Sequence, residues 1–540
     1  MLPPASCLSR ALIFLVVVAC AGCARRETPA EAGVKTRTLL VGNSAEPADL
    51  DPQIVTTLTD ENIQMALFEG LTALDETTSQ PVPAAAERWE SSADGIVWTF
   101  HLRAGLEWSN GEALTAGDFV EAWHRTLTPA LAAENAWYFN AVKNAEPFST
   151  GKLADFAAVG LAAPDARTVV ISLEHPVPYL PALVAQPSWF PVNPRVIKKF
   201  DAWSRRGSAW TRPGNHVSNG AFMLAEWEPN SRVVVAKNPR YWNAAQTQLA
   251  RIVFFPIENP TVEENSFRAG QLHVTFSLPV GKIASWREHA PEQLRIDPTL
   301  QTVFLRFNTS KAPFDDPRIR RAFSLAIERD TLARTVLQGS RQPAPSLTPP
   351  STGGYVAKAH VGTDFEAARQ LLAAAGHPRG KKLPAIELQM LNNEIYPRLG
   401  EALQAAWQRE LGAHVTLAPT EQKIWIQNQQ SLNYSVTIAV WTADFPDPVT
   451  FLGLFTSDSA YNWTGWKNAG YDRLLSTAAL TPDAARRYEL FQNAEAVLLE
   501  DAPIAPVCFG AQTYLISPVV KGWASSLLIF RRYQFVHLEK

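Results

Sequence analysis

The sequence predicts an α/β protein of two lobes, each built from mixed strands and helices. Three observations support this prediction. The chain has 540 residues, which is too long for one ordinary hydrophobic core and suggests about two to four domains. A strand–helix–strand order over residues 386–417 indicates an α/β unit. A proline-rich stretch before residue 190 and a second boundary near residue 300 divide the chain into candidate lobes.

Periodicity and capping signals predict the individual elements. Short β-branched and apolar runs predict strands, and apolar residues three and four apart predict helices. We predict strands over residues 38–42, 98–102, 168–173, 220–227, 232–236, 252–255, 301–308, 386–390, 414–417 and 436–440, and near 507 and 514. We predict helices over residues 60–68, 119–127, 263–269, 317–327, 331–337, 364–375, 399–411 and 484–499.

The helix after residue 316 has the clearest signals. Asp316 is placed to cap it and Pro317 occupies its first position. Its apolar positions form one face: Ile319, Ala322, Phe323, Ala326 and Ile327. Thr363 with Glu366 has capping-box spacing for the helix that follows.

Composition and charge exclude some classes of protein. Lys and Arg total 49 and Asp and Glu total 52, a formal net charge of −3, so nothing indicates a nucleic-acid partner. The 17 Trp and 26 Phe indicate a globular rather than a disordered chain. The ten His are scattered and lack partners at ligand spacing, so we expect no metal.

The first residues have the pattern of a bacterial lipoprotein signal. Arg10 precedes an apolar run over residues 11–19 that is too short to span a membrane. Cys20 and Cys23 both follow small residues, as at a lipoprotein cleavage site, and the choice between them stays open. We expect an exported, lipid-anchored protein of the cell envelope.

A lipoprotein signal would divide the start of the chain into two segments and leave few cysteines in the mature protein. We assign residues 1–22 to the signal peptide and residues 23–36 to a tether. Cys508 is then the only certain downstream thiol, so we expect no disulfide framework. Its apolar neighbours predict a buried position in the core.

Residues 441–448 are the stretch around which the chain is organised. The apolar strand over residues 436–440 delivers Trp441 and then Asp444 into a turn that two prolines end. Further aromatic residues follow: Tyr461, Trp463 and Trp466. One acid among aromatic walls suits a buried cationic group. The alternative is an Asp that only caps the next turn.

The common catalytic motifs are missing from the sequence. There is no Gly-x-Gly-x-x-Gly after a strand, no phosphate-binding Gly-Lys-Ser/Thr loop, no Gly-x-Ser-x-Gly and no His-Glu-x-x-His. We therefore expect no cofactor. Asp444 and Asp447 could form the acid pair of a secreted hydrolase such as a glycosidase, which is the less favoured reading.

Several stretches, in order, resemble one family: the extracytoplasmic solute-binding proteins, family 5, of oligopeptide ABC transporters. They are residues 50–52, 67–71, 108–120, 218–221, 238–242, 314–322 and 441–451. The resemblance implies a periplasmic binding protein-like fold with an extra inserted domain, mixed sheets with flanking helices, and a ligand cleft between lobes. The implied domains are 37–68 with 188–298 and 512–540, an insert over 69–187, and 299–511.

The resemblance also implies a site. An extended peptide lies between the lobes as an added strand, and Asp444 pairs with its α-ammonium. The implied ligand-binding residues are Thr56, Thr57, Leu58, Tyr138, Val440, Trp441, Thr442 and Asp444. The implied partners are a peptide, the permease subunits of an ABC transporter and the membrane through an N-terminal lipid, with the protein itself a monomer.

The sequence departs from the family pattern at two positions. Arg residues that receive a peptide's C-terminal carboxylate match Gln429 and Ile438 here, and neither can neutralise a carboxylate. The alternative hypothesis is therefore the same fold holding a non-peptide solute: a metal chelate, haem or an oligosaccharide. A retained Asp444 favours a ligand with a free amine.

Overall fold

The computed structural model describes residues 27–540 of the chain. The predicted signal peptide and both candidate lipidation sites, Cys20 and Cys23, lie outside these residues. In the described part, no helix is both long and apolar enough to cross a membrane.

A four-stranded sheet forms the first part of the chain's fold. Its strand order is Thr38–Gly42, Arg251–Phe255, Arg232–Lys237, Phe222–Glu228. The first two strands are parallel, and the other pairs are antiparallel. Strands distant in sequence are therefore neighbours, because residues 43–221 leave the sheet and return to it.

A second four-stranded sheet lies within that excursion. It is antiparallel, in the order Ala86–Ser91, Val97–Leu102, Thr168–Ser172, Leu161–Asp165. The helix Ala116–Leu127 packs on it and buries Phe119 and Trp123, among others, in the shared core.

A six-stranded mixed sheet forms the other half of the molecule. Its order is Gln342–Pro343, Ile504–Leu515, Leu294–Phe307, Val436–Thr442, Ile386–Leu391 and Val415–Thr420. The last three strands run parallel to one another, as the predicted strand–helix–strand unit requires. Two short ribbons complete the strands: Thr72–Leu74 with Pro81–Pro83, and Val520–Lys521 with His537–Leu538.

Two long strands connect the halves. Leu294–Phe307 and Ile504–Leu515 pair antiparallel, with register shifts after Pro298 and after Val303. Before the first shift, Leu294 packs in a cluster beside the first sheet, and beyond both shifts Leu305 lies in the core of the six-stranded sheet. The pair therefore runs from one half of the molecule into the other, with an irregular ladder between.

Helices cover the sheets. The α-helices are Pro29–Thr36, Leu58–Leu67, Ala116–Leu127, Ala145–Ser149, Leu180–Leu183, Pro194–Lys199, Pro260–Arg268, Ile283–His289, Pro317–Leu325, Arg329–Thr331, Phe365–Ala374, Tyr396–Leu411, Gln422–Gln430, Val449–Leu452, Ala469–Ala479 and Ala484–Asp501. A π-helical turn spans Leu332–Val336. Cys508 is buried, as predicted, and burial raises the pKa of its thiol to about 11.

One predicted cap is wrong, and one helix has no counterpart among the predicted elements. That helix, Pro29–Thr36, lies at the end of the predicted tether and begins with a reciprocal capping box of Thr28 and Glu31. The cap of the helix Phe365–Ala374 is Asp364, whose carboxylate accepts from the Ala367 amide. The hydroxyl of Thr363 instead donates to a carbonyl of another segment.

Candidate functional site

Asp444 lies where the two halves of the molecule face each other. The hydroxyl of Tyr138, from the half that carries the second sheet, donates to Asp444 Oδ1 at 3.1 Å. The hydroxyl of Thr450 donates to Asp444 Oδ2 at 3.2 Å. These neutral donors orient the carboxylate, and no residue among 27–540 forms an ion pair with it.

Asp447 has a different environment, although it is only three residues away. Its two oxygens accept from Arg487 at 2.6 and 2.8 Å, and Oδ1 also accepts from the Val449 amide at 3.0 Å. Asp447 therefore forms a buried ion pair with Arg487 and caps the following turn, and Asp444 has neither role. The two carboxylates thus have different partners: Asp447 is engaged by a guanidinium, whereas Asp444 accepts only from neutral hydroxyls.

A second acid shares the environment of Asp444. Burial raises the pKa of Asp444 to about 6. Burial, with repulsion from Asp60 and Asp444, raises the pKa of Glu61 to about 8. Two carboxyl groups that resist ionisation, without a basic partner, make this part of the interface receptive to a positive charge.

Aromatic side chains surround these acids. The rings of Trp441 and Tyr461 meet edge to face at 5.4 Å between centroids, and Tyr461 continues to Trp463 at 6.1 Å. On the opposite half, Trp137 stacks on Tyr138 at 3.9 Å. Of the predicted aromatic residues, Tyr461 and Trp463 thus form a row with Trp441, and such rings suit a cationic or an apolar group. Trp466 does not join them, because it packs on Tyr471 in the core and donates to Asp501.

The strand Val436–Thr442 has one paired edge and one largely free edge. It pairs along its whole length with Leu294–Phe307. On its other side, Ile386–Leu391 reaches only Val436 and Thr437. In the described part of the chain no strand pairs with residues 438–442 on that side, so the edge there can accept an added strand.

Alternation along the strand decides which residues present their backbone to the free edge. The Ala443 amide donates to the Leu300 carbonyl at 2.7 Å, so the peptide groups of Ala443 and, two residues back, Trp441 face the paired edge. The N–H and C=O groups of Val440 and Thr442 therefore face the free edge. Trp441 contributes its side chain.

The other segment named as ligand-binding, residues 56–58, leads into a helix. Thr57 is the N-cap of the helix Leu58–Leu67, with a side chain that accepts from the Asp60 amide. Leu58 is thus the first residue of that helix. Thr56 is exposed, and its peptide groups have no hydrogen-bond partner within residues 27–540.

The two positions that lack the family's Arg are both in the interior. Ile438 is buried in the core of the six-stranded sheet. Gln429 is buried, and its Oε1 accepts from Arg306 Nη1 at 2.5 Å. A basic residue therefore does occupy the surroundings of Gln429, but it comes from a distant strand.

Sequence reasoning missed three residues of this region: Glu61, Thr450 and Arg306. Glu61 lies in the first turn of a predicted helix, and an available signal was its place three residues before the buried Gln64. Thr450 stands six residues after Asp444, beyond the two prolines, and no local pattern predicts that the two side chains meet. Arg306 carried the signal of a basic residue amid an apolar strand.

The pKa of Glu61 predicts a pH-dependent stability. Because its folded-state pKa of about 8 lies above the ordinary 4.5, Glu61 contributes stability that is fully present below pH 4.5 and is lost progressively as the pH rises from 4.5 to 8. Glu61→Gln should therefore raise the thermal midpoint relative to wild type at pH 9 and leave it unchanged near pH 4. Glu288→Gln, at an exposed position, is the control. Equal midpoints of Glu61→Gln and wild type at every pH would contradict the expectation.

Comparison with known proteins defines the class to which this fold and site belong. The family described as bacterial extracellular solute-binding proteins, family 5, matches residues 80–463. The chain belongs to this family. Its members are binding proteins, and the two-lobed α/β fold predicted from the sequence is confirmed.

Particular relatives cover nearly the whole chain. The probable deoxycholate-binding periplasmic protein YgiS of Escherichia coli is 35% identical over 525 residues, 95% of this chain and 96% of its own. The periplasmic oligopeptide-binding protein OppA of Salmonella typhimurium is 33% identical over 523 residues, 95% and 94% of the two chains.

Solved structures are similar over the same extent. The unliganded open form of the murein tripeptide-binding protein MppA has a TM-score of 0.81 at 31% identity, over 93% of this chain and 98% of its own. Haemophilus influenzae OppA in complex with the peptide RPPGFSPFR has a TM-score of 0.74 at 30% identity, over 94% and 99%.

Proposed function

We propose that this protein captures oligopeptides in the cleft between its lobes and delivers them to the permease of an ABC transporter. The observation that carries the proposal is the Asp444 carboxylate, which lies between the lobes and next to the free edge of Val436–Thr442 and has no basic partner in the described part of the chain. A peptide supplies both missing elements: an α-ammonium for the acid and a backbone for the edge. The relatives named for oligopeptides and murein peptides support this choice.

Backbone pairing accounts for a broad ligand range. Val440 and Thr442 offer N–H and C=O groups on the free edge, and any peptide can pair with them whatever its side chains. Tyr138 contacts Asp444 from the opposite lobe, and Thr56 and Thr57 are exposed and so can contact a ligand. The binding site we propose consists of these residues with Leu58 and Trp441.

The domain organisation belongs to the same proposal. The lobes are residues 37–68 with 188–298 and 512–540, carrying the insert 69–187, and residues 299–511. The register shift after Pro298, opposite Ala511, supports a hinge there, because an interrupted ladder bends more readily than a regular one.

The surroundings of the protein are also proposed. The lipoprotein-like start of the sequence supports a monomer held at the membrane by lipid on Cys23 or Cys20, with its cleft outside the cytoplasm. We propose no catalysis by this chain, since Asp447 is engaged by Arg487 and leaves Asp444 without a second catalytic acid at that spacing.

A second candidate is an amphipathic non-peptide solute. The 35% identical relative is named for deoxycholate binding, and Gln429 and Ile438 lack the basic groups expected for a peptide carboxylate. The aromatic row beside Trp441 would suit an apolar body, but such a solute leaves Asp444 and the free strand edge unused.

Native mass spectrometry of the protein purified from expressing cells tests the proposal. A series of adducts with peptide masses, absent from Asp444→Asn, is the expected result. One adduct of a non-peptide mass, retained by Asp444→Asn, would replace the proposal with the second candidate. If the protein carries no adduct, a thermal-shift screen with peptide pools is the next test. A higher thermal midpoint with peptides supports the proposal, and an unchanged midpoint contradicts it.

Affinity for amine-bearing peptides should fall as the pH falls below 6. The pKa of Asp444 is about 6, so acid protonates the carboxylate that the ammonium needs. The neighbouring hydroxyls of Tyr138 and Thr450 stay neutral in this range, and Glu61 is already protonated there. Calorimetry should show a loss of about tenfold per pH unit below pH 6. A flat profile between pH 4 and 7 would contradict the role of Asp444.

A further inference from the structure

Arg306 is a buried cation with no counter-ion among residues 27–540. Its side chain is 4% exposed, on the strand Leu294–Phe307. Of its five N–H donors, one makes a hydrogen bond, from Nη1 to Gln429 Oε1, and Nε is buried with no partner within residues 27–540. Burial lowers the pKa of Arg306 only to about 10, so the guanidinium stays charged at neutral pH.

The other buried arginines are different. Arg125, Arg487 and Arg531 each pair with a carboxylate, from Asp51, Asp447 and Glu76. Arg320 and Arg329 have no carboxylate but each donates to several main-chain carbonyl groups. Because a buried charge is costly unless it is paired and hydrogen-bonded, Arg306 stands out as incompletely satisfied.

Arg306 is also connected to the proposed peptide site. Its guanidinium carbon lies 5.0 Å from the ring centre of Trp463, and Trp463 continues through Tyr461 to Trp441. Arg306 is opposite Thr437 in the sheet, on the same face as Trp441. The guanidinium is therefore at one end of an aromatic row whose other end is at the free strand edge.

We propose that Arg306 binds a carboxylate of the ligand, in place of the Arg that the family carries at positions 429 and 438. The proposal rests on the proposed function for its peptide ligand. From Thr442 to Thr437 the strand advances about 17 Å, or about five extended residues. Two sources of the carboxylate fit that span: the C-terminus of a short peptide, and an acidic side chain of a longer one.

Matched peptides distinguish these sources. Calorimetry at pH 7 with the mature protein would first compare penta-alanine with its C-terminal amide, which tests the C-terminal carboxylate. It would then compare amidated penta-alanine that carries one Glu with the same peptide that carries Gln in its place, for each of the five positions, which tests a side-chain carboxylate. In at least one pair, wild type should bind the peptide that carries the carboxylate about 10- to 100-fold more tightly than its neutral counterpart. Arg306→Gln should remove the difference. Arg295→Gln, an exposed arginine on the same strand, should keep it.

A second variant tests the proposal without removing Arg306. Gln429→Glu places an internal carboxylate at the atom that already accepts from Arg306. It should raise the thermal midpoint of the unliganded protein and abolish the preference for the carboxylate probe. If Arg306→Gln fails to fold, this variant decides the matter alone, since an unchanged preference in Gln429→Glu would overturn the proposal.

Failure of the proposed function gives a different pattern. Deoxycholate and its methyl ester form a further pair of probes. If no peptide binds, but wild type binds deoxycholate more tightly than its methyl ester and Arg306→Gln removes that difference, the peptide function is wrong and the carboxylate site stands. If wild type binds charged and neutral members of every pair equally, or binds no probe, the Arg306 proposal is overturned. Asp444→Asn should weaken charged and neutral peptides alike.

Discussion

Asp444→Asn should lower affinity for peptides with a free amine by about 30-fold to several thousandfold, which corresponds to ~2–5 kcal/mol for one partner of a buried charge pair. The carboxylate is oriented by Tyr138 and Thr450, and it has no internal cation to compete with a ligand. Asn has nearly the same shape and keeps an acceptor oxygen, so the loss reports the charge. Calorimetry with a peptide found in the native adducts measures it.

Two comparisons make the Asp444 result specific. Asp458→Asn removes one carboxylate from the same region at an exposed position that makes no hydrogen bond or ion pair within residues 27–540, and it should leave affinity unchanged. An N-acetylated copy of the peptide should bind wild type and Asp444→Asn equally weakly. Equal affinity of Asp444→Asn and wild type for the free peptide would refute the ammonium role.

Asp447→Asn should destabilise the lobe that contains it by about 3–5 kcal/mol, since it leaves a charged partner buried. The side chains of Asp447 and Arg487 are 5% and 4% exposed, and two hydrogen bonds of 2.6 and 2.8 Å join them. Phe491 and Tyr179 lie against the guanidinium and offer no compensating carboxylate. Denaturant unfolding followed by tryptophan fluorescence measures the change.

The neighbouring surface pair provides the control. Arg486 and Glu489 are joined at 2.7 Å but are 63% and 58% exposed, so Glu489→Gln should leave stability nearly unchanged. The double variant Asp447→Asn with Arg487→Met should recover much of the loss, because it removes the uncompensated charge. If Asp447→Asn lowers the free energy of unfolding by less than about 1 kcal/mol, the ion pair contributes no more to stability than an exposed pair does, and the prediction is wrong.

The predicted elements agree with the structure where local signals decide. The helix Pro317–Leu325 begins at the predicted cap and proline, since Asp316 accepts from the Arg318 amide. The strand Thr38–Gly42 is as predicted, because its apolar residues need no distant information to favour an extended chain. For the strand Leu294–Phe307 the local pattern predicts only the part from residue 301. Its first half contains Arg295, Asp297 and Pro298, and it is extended because it pairs with Ile504–Leu515.

The sequence by itself determined the two-lobed α/β class, most of the elements, and Asp444 as the acid at the end of a buried strand. Only the tertiary structure decided that Asp444 is free of internal cations while Asp447 is not, because Arg487 is 40 residues away in sequence. It also brought Tyr138 to Asp444 across 306 residues and left Arg306 buried with one hydrogen bond. Burial and the presence or absence of a counter-ion are properties of packing, and local sequence patterns do not encode them.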